Sequence, residues 1–215
     1  MQMQVNSEHY DFNKYVNKGR WNSFYHQINE ITSILPPHLA QQSILEVGVG
    51  SGILKTICKH LLPYNYESLD VDEELKPDHI GSILKMPFAD QQYDIVVCFQ
   101  VLEHMPYESF TKALSELFRV AKKSVIISLP NANRVLSLHI QKICPYKFIK
   151  RPFTRTEEHK FDGEHYWEIN KKGYEIEKII DTMSKISKTY YYKLEKNYRV
   201  WEKTFHHFFV FKKQA

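Results

Sequence analysis

Residues 43–52, Ser-Ile-Leu-Glu-Val-Gly-Val-Gly-Ser-Gly, constrain the fold of this chain more than any other stretch. An apolar run stops at Glu46 and is followed by three glycines at alternate positions, Gly48, Gly50 and Gly52. Glycine permits positive φ and close approach of a ligand to the main chain, and the first turn of the next helix offers unpaired N–H groups. The stretch therefore predicts a strand, a tight turn and a helix that bind a nucleotide-type ligand. Its spacing differs from the G-x-G-x-x-G of dinucleotide-binding folds.

Length and composition indicate a single globular domain. The chain has 215 residues, of which 43% are hydrophobic, and this is enough for one sizeable core and well above the level of disordered chains. No apolar run approaches the roughly 18 residues of a membrane span, and the first residues lack the basic and apolar segments of a signal peptide. We therefore expect no membrane span and a cytoplasmic location.

Further apolar runs alternate with helical patterns along the chain, at residues 66–70, 94–99 and 124–130. This alternation predicts an α/β fold with a doubly wound, mostly parallel sheet and helices on both faces. Ligands of such sheets bind beyond the carboxyl ends of the strands. The polar residues at those ends should therefore converge on one crevice: Glu46, Asp70, Gln100 and Asn131.

Asp70 has the position expected of a ribose-binding acid. It follows Gly50 by 20 residues, and nucleotide-binding α/β folds carry at that place a carboxylate that accepts hydrogen bonds from both ribose hydroxyls. Asp72 is the alternative, because a two-residue shift of the strand end would bring it to the same place.

A stripe of large apolar residues at helical spacing precedes the glycine turn: Trp21, Phe24, Tyr25, Ile28, Ile31 and Leu35. Two prolines at residues 36 and 37 end the pattern. The stripe predicts an N-terminal helix that packs this face on the fold, since aromatic residues at such spacing more often belong to a core than to a ligand site.

Several motifs in combination resemble those of the class I S-adenosylmethionine-dependent methyltransferases. They are the acid and three glycines of residues 46–52, Asp70, residues 81–88, the pair Tyr93 and Asp94 leading into Val101-Leu-Glu-His104, and Ser128-Leu-Pro-Asn131. The resemblance covers about residues 40–135. It is to the branch of this family that methylates small molecules, the methyltransferase type 11-like branch.

The resemblance implies S-adenosylmethionine as methyl donor and a Rossmann-like, seven-stranded sheet whose last strand is reversed. The cofactor contacts that it implies fall on Glu46, Gly48, Gly50, Gly52, Asp70, Ser82, Ile83 and Gln100. Ser82 stands where the family carries an acid that contacts the adenine amino group, so the adenine contact is expected from Ser82, a backbone group or the apolar Ile83. Residues 188–196 and 204–212 read as two strands with a short connection, which should pair antiparallel.

Within residues 1–215 the single domain divides into four parts. Residues 1–40 form a helical cover, residues 41–131 the cofactor-binding core, residues 132–168 an irregular lid on the acceptor side, and residues 169–215 a helix and the antiparallel strand pair. Residues 134–160 carry seven Lys or Arg against two Glu, which suits an anionic acceptor or a solvated surface equally well.

The expected reaction is methyl transfer to a hydroxyl group of a small molecule or saccharide. Such a transfer is an in-line displacement at a sulfonium carbon, for which alignment is the main contribution of the protein. A hydroxyl acceptor gains from a general base, and His104, directly after a central strand, and His165, in the lid, are the candidate catalytic residues. A capping or packing role is the alternative for each.

Two other functions remain open at this point. Small-RNA 3′-end 2′-O-methyltransferases hold a metal ion with Glu-x-x-Glu-His and a later histidine, and here Gln100-Val-Leu-Glu103-His104 with His159 or His165 differs by one residue. Gln100 weakens this interpretation, because divalent cations favour charged oxygen ligands, so we expect no metal and no nucleic-acid substrate. The other possibility is a non-catalytic cofactor-binding subunit of a partner enzyme. The oligomeric state does not follow from the sequence.

Overall fold

The computed structural model describes residues 17–38, 41–133, 135–140, 144–150 and 157–214. The helices are α1 (Lys18–Ile34), α2 (Ile53–His60), α3 (Phe110–Val120) and α4 (Ile176–Thr189). The strands are β1 (Ser43–Val47), β2 (Asn65–Asp70), β3 (His79–Ile80), β4 (Tyr93–Phe99), β5 (Ala121–Pro130), β6 (Val135–Ile140), β7 (Cys144–Lys150), β8 (Tyr192–Arg199) and β9 (His206–Lys213). No helix within these ranges is long and apolar enough to cross a membrane.

Seven strands form one mixed sheet in the order β3-β2-β1-β4-β5-β9-β8. The five strands from β3 to β5 are mutually parallel, and β9 pairs antiparallel with both β5 and β8. The prediction of a mostly parallel, seven-stranded sheet with a reversed last strand is confirmed. The strand order reverses between β1 and β4, since β2 and β3 lie on one side of β1 and β4 and β5 on the other, so the crevice at the carboxyl edge opens there.

Two hydrophobic cores lie on opposite faces of the sheet, because successive side chains of a strand point to opposite sides. Leu45 and Val96 belong to the core that α3 and α4 cover. Ile44 and Ile95 belong to the core on the other face, to which α1 and α2 contribute. The central strands are therefore buried on both sides, as their uninterrupted apolar runs predict.

Helix α1 does not bury the face that its apolar stripe predicts. Trp21 is 48% exposed and Tyr25 is 64% exposed, whereas the buried positions of the first half of the helix are polar. The apolar contact with the sheet is made further on, by Ile31 and by Leu35 after the last turn. The spacing of the apolar residues predicted the wrong buried face, because the first half of α1 lies against a cavity and not against the hydrophobic core.

The sequence predicted an irregular segment at residues 132–168, but the structure has two strands in it. Strands β6 and β7 pair antiparallel in a separate two-stranded sheet. Residues 136–140 alternate between apolar and polar side chains, so the sequence does carry the period of a strand at β6. Residues 134, 141–143 and 151–156, which hold part of the basic run, lie outside the described residues.

The C-terminal strand pair is present, but it begins later than the sequence suggests. Helix α4 continues to Thr189, and Tyr191 then takes a φ of +65° before β8 starts. The antiparallel pairing of β8 with β9 is confirmed. The shift arises because the helix ends at a left-handed residue without a glycine to mark it.

Candidate active site

A cavity opens at the carboxyl edge of the sheet, between the glycine turn and helix α1. Fourteen residues line it: Arg20, Ser23, Phe24, Gln27, Glu46, Gly48, Val49, Gly50, Ser51, Ile53, Leu54, Phe99, Gln100 and His206. Four of the predicted cofactor residues, Glu46, Gly48, Gly50 and Gln100, are among them. The other four, Gly52, Asp70, Ser82 and Ile83, lie outside its lining.

The three glycines of the turn all have positive φ, but for different reasons. A Cβ atom on Gly48 would lie 2.3 Å from Cγ2 of Val101, and φ there is +87°. Gly48 is therefore required by the packing of the protein itself. Gly50 has a φ of +52° and Gly52 one of +70°, and a Cβ on Gly52 would have no heavy atom within 4 Å. Open space beside the main chain at Gly52 is what a bound ligand needs.

Asp70 is tied to the glycine turn through the backbone. Its Oδ2 accepts from the N–H of Val49 at 2.8 Å, and its Oδ1 accepts from the N–H of Asp72 at 3.0 Å. Burial raises the pKa of this carboxyl against the lowering effect of those bonds. Asp72 instead caps a short 3₁₀ turn, since its Oδ1 accepts from the N–H of Glu74 at 2.9 Å. Oδ2 of Asp72 is buried without a hydrogen-bond partner among the described residues, so the ribose role of Asp70, with Asp72 as its alternative, stays a prediction.

Glu46 forms the buried floor of the cavity. Only 4% of it is exposed, and it accepts a hydrogen bond from the hydroxyl of Tyr66. Burial is the main cause that raises the pKa of the Glu46 carboxyl to about 8, and the nearby charge of Asp70 adds to it. The group is therefore mostly protonated at neutral pH, and it can donate as well as accept a hydrogen bond.

Gln100 follows strand β4 directly and has a strained backbone conformation. Its φ is +55°, in the left-handed region that side chains other than Gly and Asn seldom adopt. Two hydrogen bonds hold it, from its N–H to the carbonyl of Ser128 at 3.0 Å and from Nε2 to Oγ of the same serine at 3.1 Å. Strain of this kind persists where the surroundings determine the geometry, and here it keeps the amide on the cavity wall.

Three residues that were predicted to face the ligand do not line the cavity: Ser82, Ile83 and Asn131. Oγ of Ser82 accepts from the N–H of Leu84 at 3.2 Å, and Ile83 is buried in the hydrophobic core. Asn131 is 2% exposed, and its amide is bound to His207 and Asn170. The adenine roles of Ser82 and Ile83 stay predictions. Asn131 serves the packing of β9, because the reversed strand covers its side of β5.

Residues 164–166 dock on the short helix Leu102–His104 that follows β4. Nδ1 of His104 donates to the carbonyl of Glu164 at 2.9 Å, and the N–H of Tyr166 donates to the carbonyl of Glu103 at 2.8 Å. The first bond places the proton of a neutral His104 on Nδ1. Its Nε2 then carries the lone pair that a base uses.

The two candidate catalytic histidines lie next to each other, although 60 positions separate them in the chain. The rings of His104 and His165 have centroids 5.1 Å apart. Nδ1 of the His165 ring lies 2.9 Å from Oε1 of Glu168. The backbone N–H of His165 donates to Oδ1 of Asp162 at 2.8 Å. Burial lowers the pKa of His165, but the bond to Glu168 and the charges of Glu103 and other acids outweigh it, so the pKa is raised.

Glu103 is a fully buried carboxyl beside the two histidines. Neither of its side-chain oxygens has a hydrogen-bond partner among the described residues. Burial raises its pKa to about 8. Its ligand atom and those of His104 and His165 all lie within 4.8 Å of one another, so these three could hold a cation. His159 is not part of this group, because its Nε2 donates to the carbonyl of His165 at 2.7 Å.

Sequence reasoning missed two sets of residues in this region. Asp162 lies three positions before His165 and Glu168 three positions after it, and both contact it. This spacing in the sequence could have indicated that they belong to the site. The second set belongs to the cavity wall, where only the folded chain brings its members together: Arg20, Ser23, Gln27 and His206.

Comparison with known proteins identifies the domain. Residues 45–129 match the family model described as a methyltransferase domain, and this span runs from β1 through the glycine turn to the end of β5. Residues 45–129 form a methyltransferase domain. The family expected from the sequence motifs is thereby confirmed.

One curated protein and two solved structures show how far the likeness of this chain to known proteins extends. An uncharacterised protein of Methanocaldococcus jannaschii is 31% identical over 106 residues, which cover 45% of this chain and 44% of that protein. The match thus spans less than half the length of this curated relative. A small RNA methyltransferase structure has a TM-score of 0.58 at 16% identity, over 90% of this chain and 25% of that one. The magnesium protoporphyrin IX methyltransferase of Synechocystis PCC 6803, solved with S-adenosylmethionine, has a TM-score of 0.55 at 12% identity, over 93% and 85%. At these identities, the two structures show the fold.

Proposed function

We propose that this chain binds S-adenosylmethionine at the glycine turn and transfers its methyl group to a hydroxyl of a small molecule or saccharide, which can be anionic. The family match supports the donor. The observation that carries the acceptor chemistry is the adjacency of His104 and His165 just beyond the carboxyl end of β4. In a parallel sheet this edge is where donor and acceptor meet.

The proposed cofactor site uses the turn and the strand ends around it. The ligand is proposed to lie against the main chain at Gly50, which lines the cavity, and at Gly52, where a Cβ would have no heavy atom within 4 Å, while Gly48 packs closely on Val101. Asp70 receives the ribose hydroxyls, Ser82 and Ile83 lie on the adenine side, and Gln100 and Glu46 lie on the side of the methionine chain. The bound cofactor supplies an electrophilic sulfonium methyl group.

His104 and His165 are proposed as the two candidate general bases for the hydroxyl acceptor. As the oxygen attacks the methyl carbon and the carbon–sulfur bond breaks, the hydroxyl proton passes to an imidazole nitrogen. His104 is suited to this, because its bond to Glu164 leaves the lone pair on Nε2 when the ring is neutral. Glu168 orients His165 through Nδ1, so the two rings keep a fixed relation.

A second candidate function rests on Glu103. A buried carboxyl without a partner either keeps its proton or meets a cation, and Glu103, His104 and His165 have the geometry for a divalent ion. The fold likeness to a small RNA methyltransferase adds metal-assisted methylation of RNA to the possibilities. The neutral amide of Gln100 leaves this group one charged ligand short, so we favour the metal-independent reaction.

The test is methyl transfer from labelled S-adenosylmethionine to a panel of methyl glycosides, sugar nucleotides and phenols, with a 3′-hydroxyl RNA oligonucleotide beside them, each with and without EDTA. We expect transfer to a small hydroxyl acceptor that EDTA does not change. His104→Ala should slow it by about 10²–10⁴-fold and leave cofactor binding intact. His60→Ala, an exposed histidine of α2, is the matched control.

Two results would contradict this proposal in different ways. Activity on RNA alone, abolished by EDTA and restored by a divalent ion, would establish the second candidate. Activity on a small acceptor that survives both His104→Ala and His165→Ala would show that alignment alone carries the reaction and that neither histidine is the base.

A further inference from the structure

Residues 161–166, which we call the aromatic loop, present two large rings to solvent on the same loop as His165. Phe161 is 53% exposed and Tyr166 is 37% exposed, and their ring centroids lie 4.7 Å apart at an angle of 33°. Neither residue belongs to the two hydrophobic cores. A single exposed ring is ordinary, whereas rings that contact each other at the surface indicate a place where a ligand binds.

Hydrogen bonds fix the backbone of the aromatic loop. Oδ1 of Asp162 accepts from the N–H of Glu164 at 2.9 Å and from the N–H of His165 at 2.8 Å. At the end of the loop the N–H of Tyr166 donates to the carbonyl of Glu103 at 2.8 Å. The two rings are therefore held in place before any ligand binds, which lowers the entropic cost of binding one.

The charge around the aromatic loop is negative. Residues 157–168 hold five Asp or Glu against one Lys. Two of these acids form ion pairs with lysines at 3.5 and 2.6 Å: Glu157 with Lys171 and Glu158 with Lys172. The other three lie within three positions of His165: Asp162, Glu164 and Glu168. With His165 neutral, as a base must be, Lys160 offsets only one of them. This surface therefore attracts a positively charged group.

Asp162 supplies a negative charge directly beside Phe161 in the chain. Burial raises the pKa of the Asp162 carboxyl, but the N–H bonds of the loop and the nearby histidines outweigh it, so the pKa is lowered. The carboxyl is ionised at neutral pH. Both backbone bonds go to the same oxygen, Oδ1, and a carboxylate can accept further bonds through its other oxygen.

Two exposed rings and a carboxylate on one loop match the chemistry of an ammonium group. The face of an aromatic ring attracts a cation, and a carboxylate forms a charge-assisted hydrogen bond with it. An unsubstituted sugar or a simple phenol would use the apolar ring faces and leave the carboxylate without a charged partner. An anionic group at this place would be repelled.

We propose that the aromatic loop binds an ammonium group of the acceptor, with the cation against the rings of Phe161 and Tyr166 and paired to Asp162. The substrate class is then a hydroxyl compound that also carries an amine, such as an amino alcohol or an amino sugar. This inference rests on the proposed function and narrows it. His104 binds the backbone of the same loop at Glu164, so an acceptor anchored there has its hydroxyl within reach of the candidate bases.

The test titrates the full chain with two probes of the same shape, followed by NMR of the probe. Choline and 3,3-dimethylbutan-1-ol both carry a hydroxyl, and they differ in a quaternary nitrogen or carbon. We expect choline to bind about tenfold more tightly. Asp162→Asn keeps the oxygen that accepts the loop bonds, and it should weaken choline by about three- to tenfold and change the neutral probe less than about twofold. Phe161→Leu should weaken choline by about two- to fivefold.

Matched controls remove a charge and a ring elsewhere. Glu108→Gln and Tyr191→Leu change exposed positions outside the aromatic loop and should alter the binding of neither probe. Tyr166→Leu replaces Phe161→Leu if circular dichroism shows that the latter does not fold.

Several results would overturn the inference. They are equal binding of the two probes by the wild type, no binding of choline up to about 100 mM, or a full preference for choline in both Asp162→Asn and Phe161→Leu. Methyl transfer is measured separately. Transfer to a neutral sugar by a protein without the choline preference would sink the inference and leave the proposed function standing. A choline preference in a protein that methylates no hydroxyl would contradict the proposed function and not the cation site.

Discussion

Replacing Glu46 by glutamine is expected to stabilise the fold at neutral pH, although the residue belongs to the candidate cofactor site. The Glu46 carboxyl is 96% buried on the floor of the cavity. Burial raises its pKa from 4.5 to about 8, against the lowering effect of the Tyr66 hydrogen bond. A glutamine has nearly the same shape, never ionises, and keeps an oxygen that accepts from the Tyr66 hydroxyl.

The magnitude follows from proton linkage. Between pH 4.5 and about 8 the carboxyl is ionised in the unfolded chain and protonated in the folded one. The folded state therefore binds more protons, and its stability falls as pH rises through this window. At pH 7 the cost is 2.5 pKa units, or about 3 kcal/mol, and it levels off near about 5 kcal/mol above pH 8. Below pH 4.5 it vanishes.

Urea unfolding of the wild type and Glu46→Gln at pH 5, 7 and 8.5 measures this difference. We expect the variant to be more stable by about 3 kcal/mol at pH 7, with a gain below about 1 kcal/mol at pH 5 and a larger gain at pH 8.5. Glu108→Gln, at an exposed position, is the matched control and should show no such trend. A difference that does not depend on pH, or a variant less stable than the wild type at pH 7, would refute the reasoning.

Three further predictions concern the glycine turn and the acids beside it. Gly48→Ala should lower the free energy of unfolding by about 2–4 kcal/mol, through the clash with Val101 and the left-handed φ, and Val101→Ala in the same chain should recover part of it in urea unfolding. Gly50→Ala should abolish binding of S-adenosylhomocysteine in calorimetry while costing only about 1–2 kcal/mol of stability, since φ there is +52°, and unchanged binding would exclude close approach of the ligand. Asp70→Ala should weaken the same ligand by about 1.5–3 kcal/mol, whereas Asp72→Ala should not, and the reverse result would move the ribose contact to Asp72.

The parts of this protein that follow from its sequence are those governed by local rules. Gly48, Gly50 and Gly52 adopt positive φ, as the turn between strand and helix requires. The continuous apolar run of β4 indicates a central strand buried on both faces, and the structure has it so. Asp70 lies beside the turn because every parallel strand ends at the same edge of the sheet.

The arrangement of the candidate site could not be predicted from the sequence, because it depends on contacts between residues that are far apart in the chain. His104 and His165 were candidates for separate reasons, and the sequence did not show that their rings are neighbours or that Glu168 supports one of them. The sequence likewise left open whether His159 or His165 lies beside His104. In the structure it is the His165 ring, and His159 instead binds the backbone carbonyl of His165.

Helix α1 shows most clearly which features follow from the sequence and which depend on the tertiary structure. Its sequence determined that a helix forms and where it ends, because periodicity and the two prolines after it act within one or two turns. Which face is buried depends on what the rest of the fold presents to it. The tertiary structure places a polar cavity against Ser23 and Gln27, so these are buried and Trp21 is left exposed. Burial is a property of the surroundings, and only the assembled sheet supplies them.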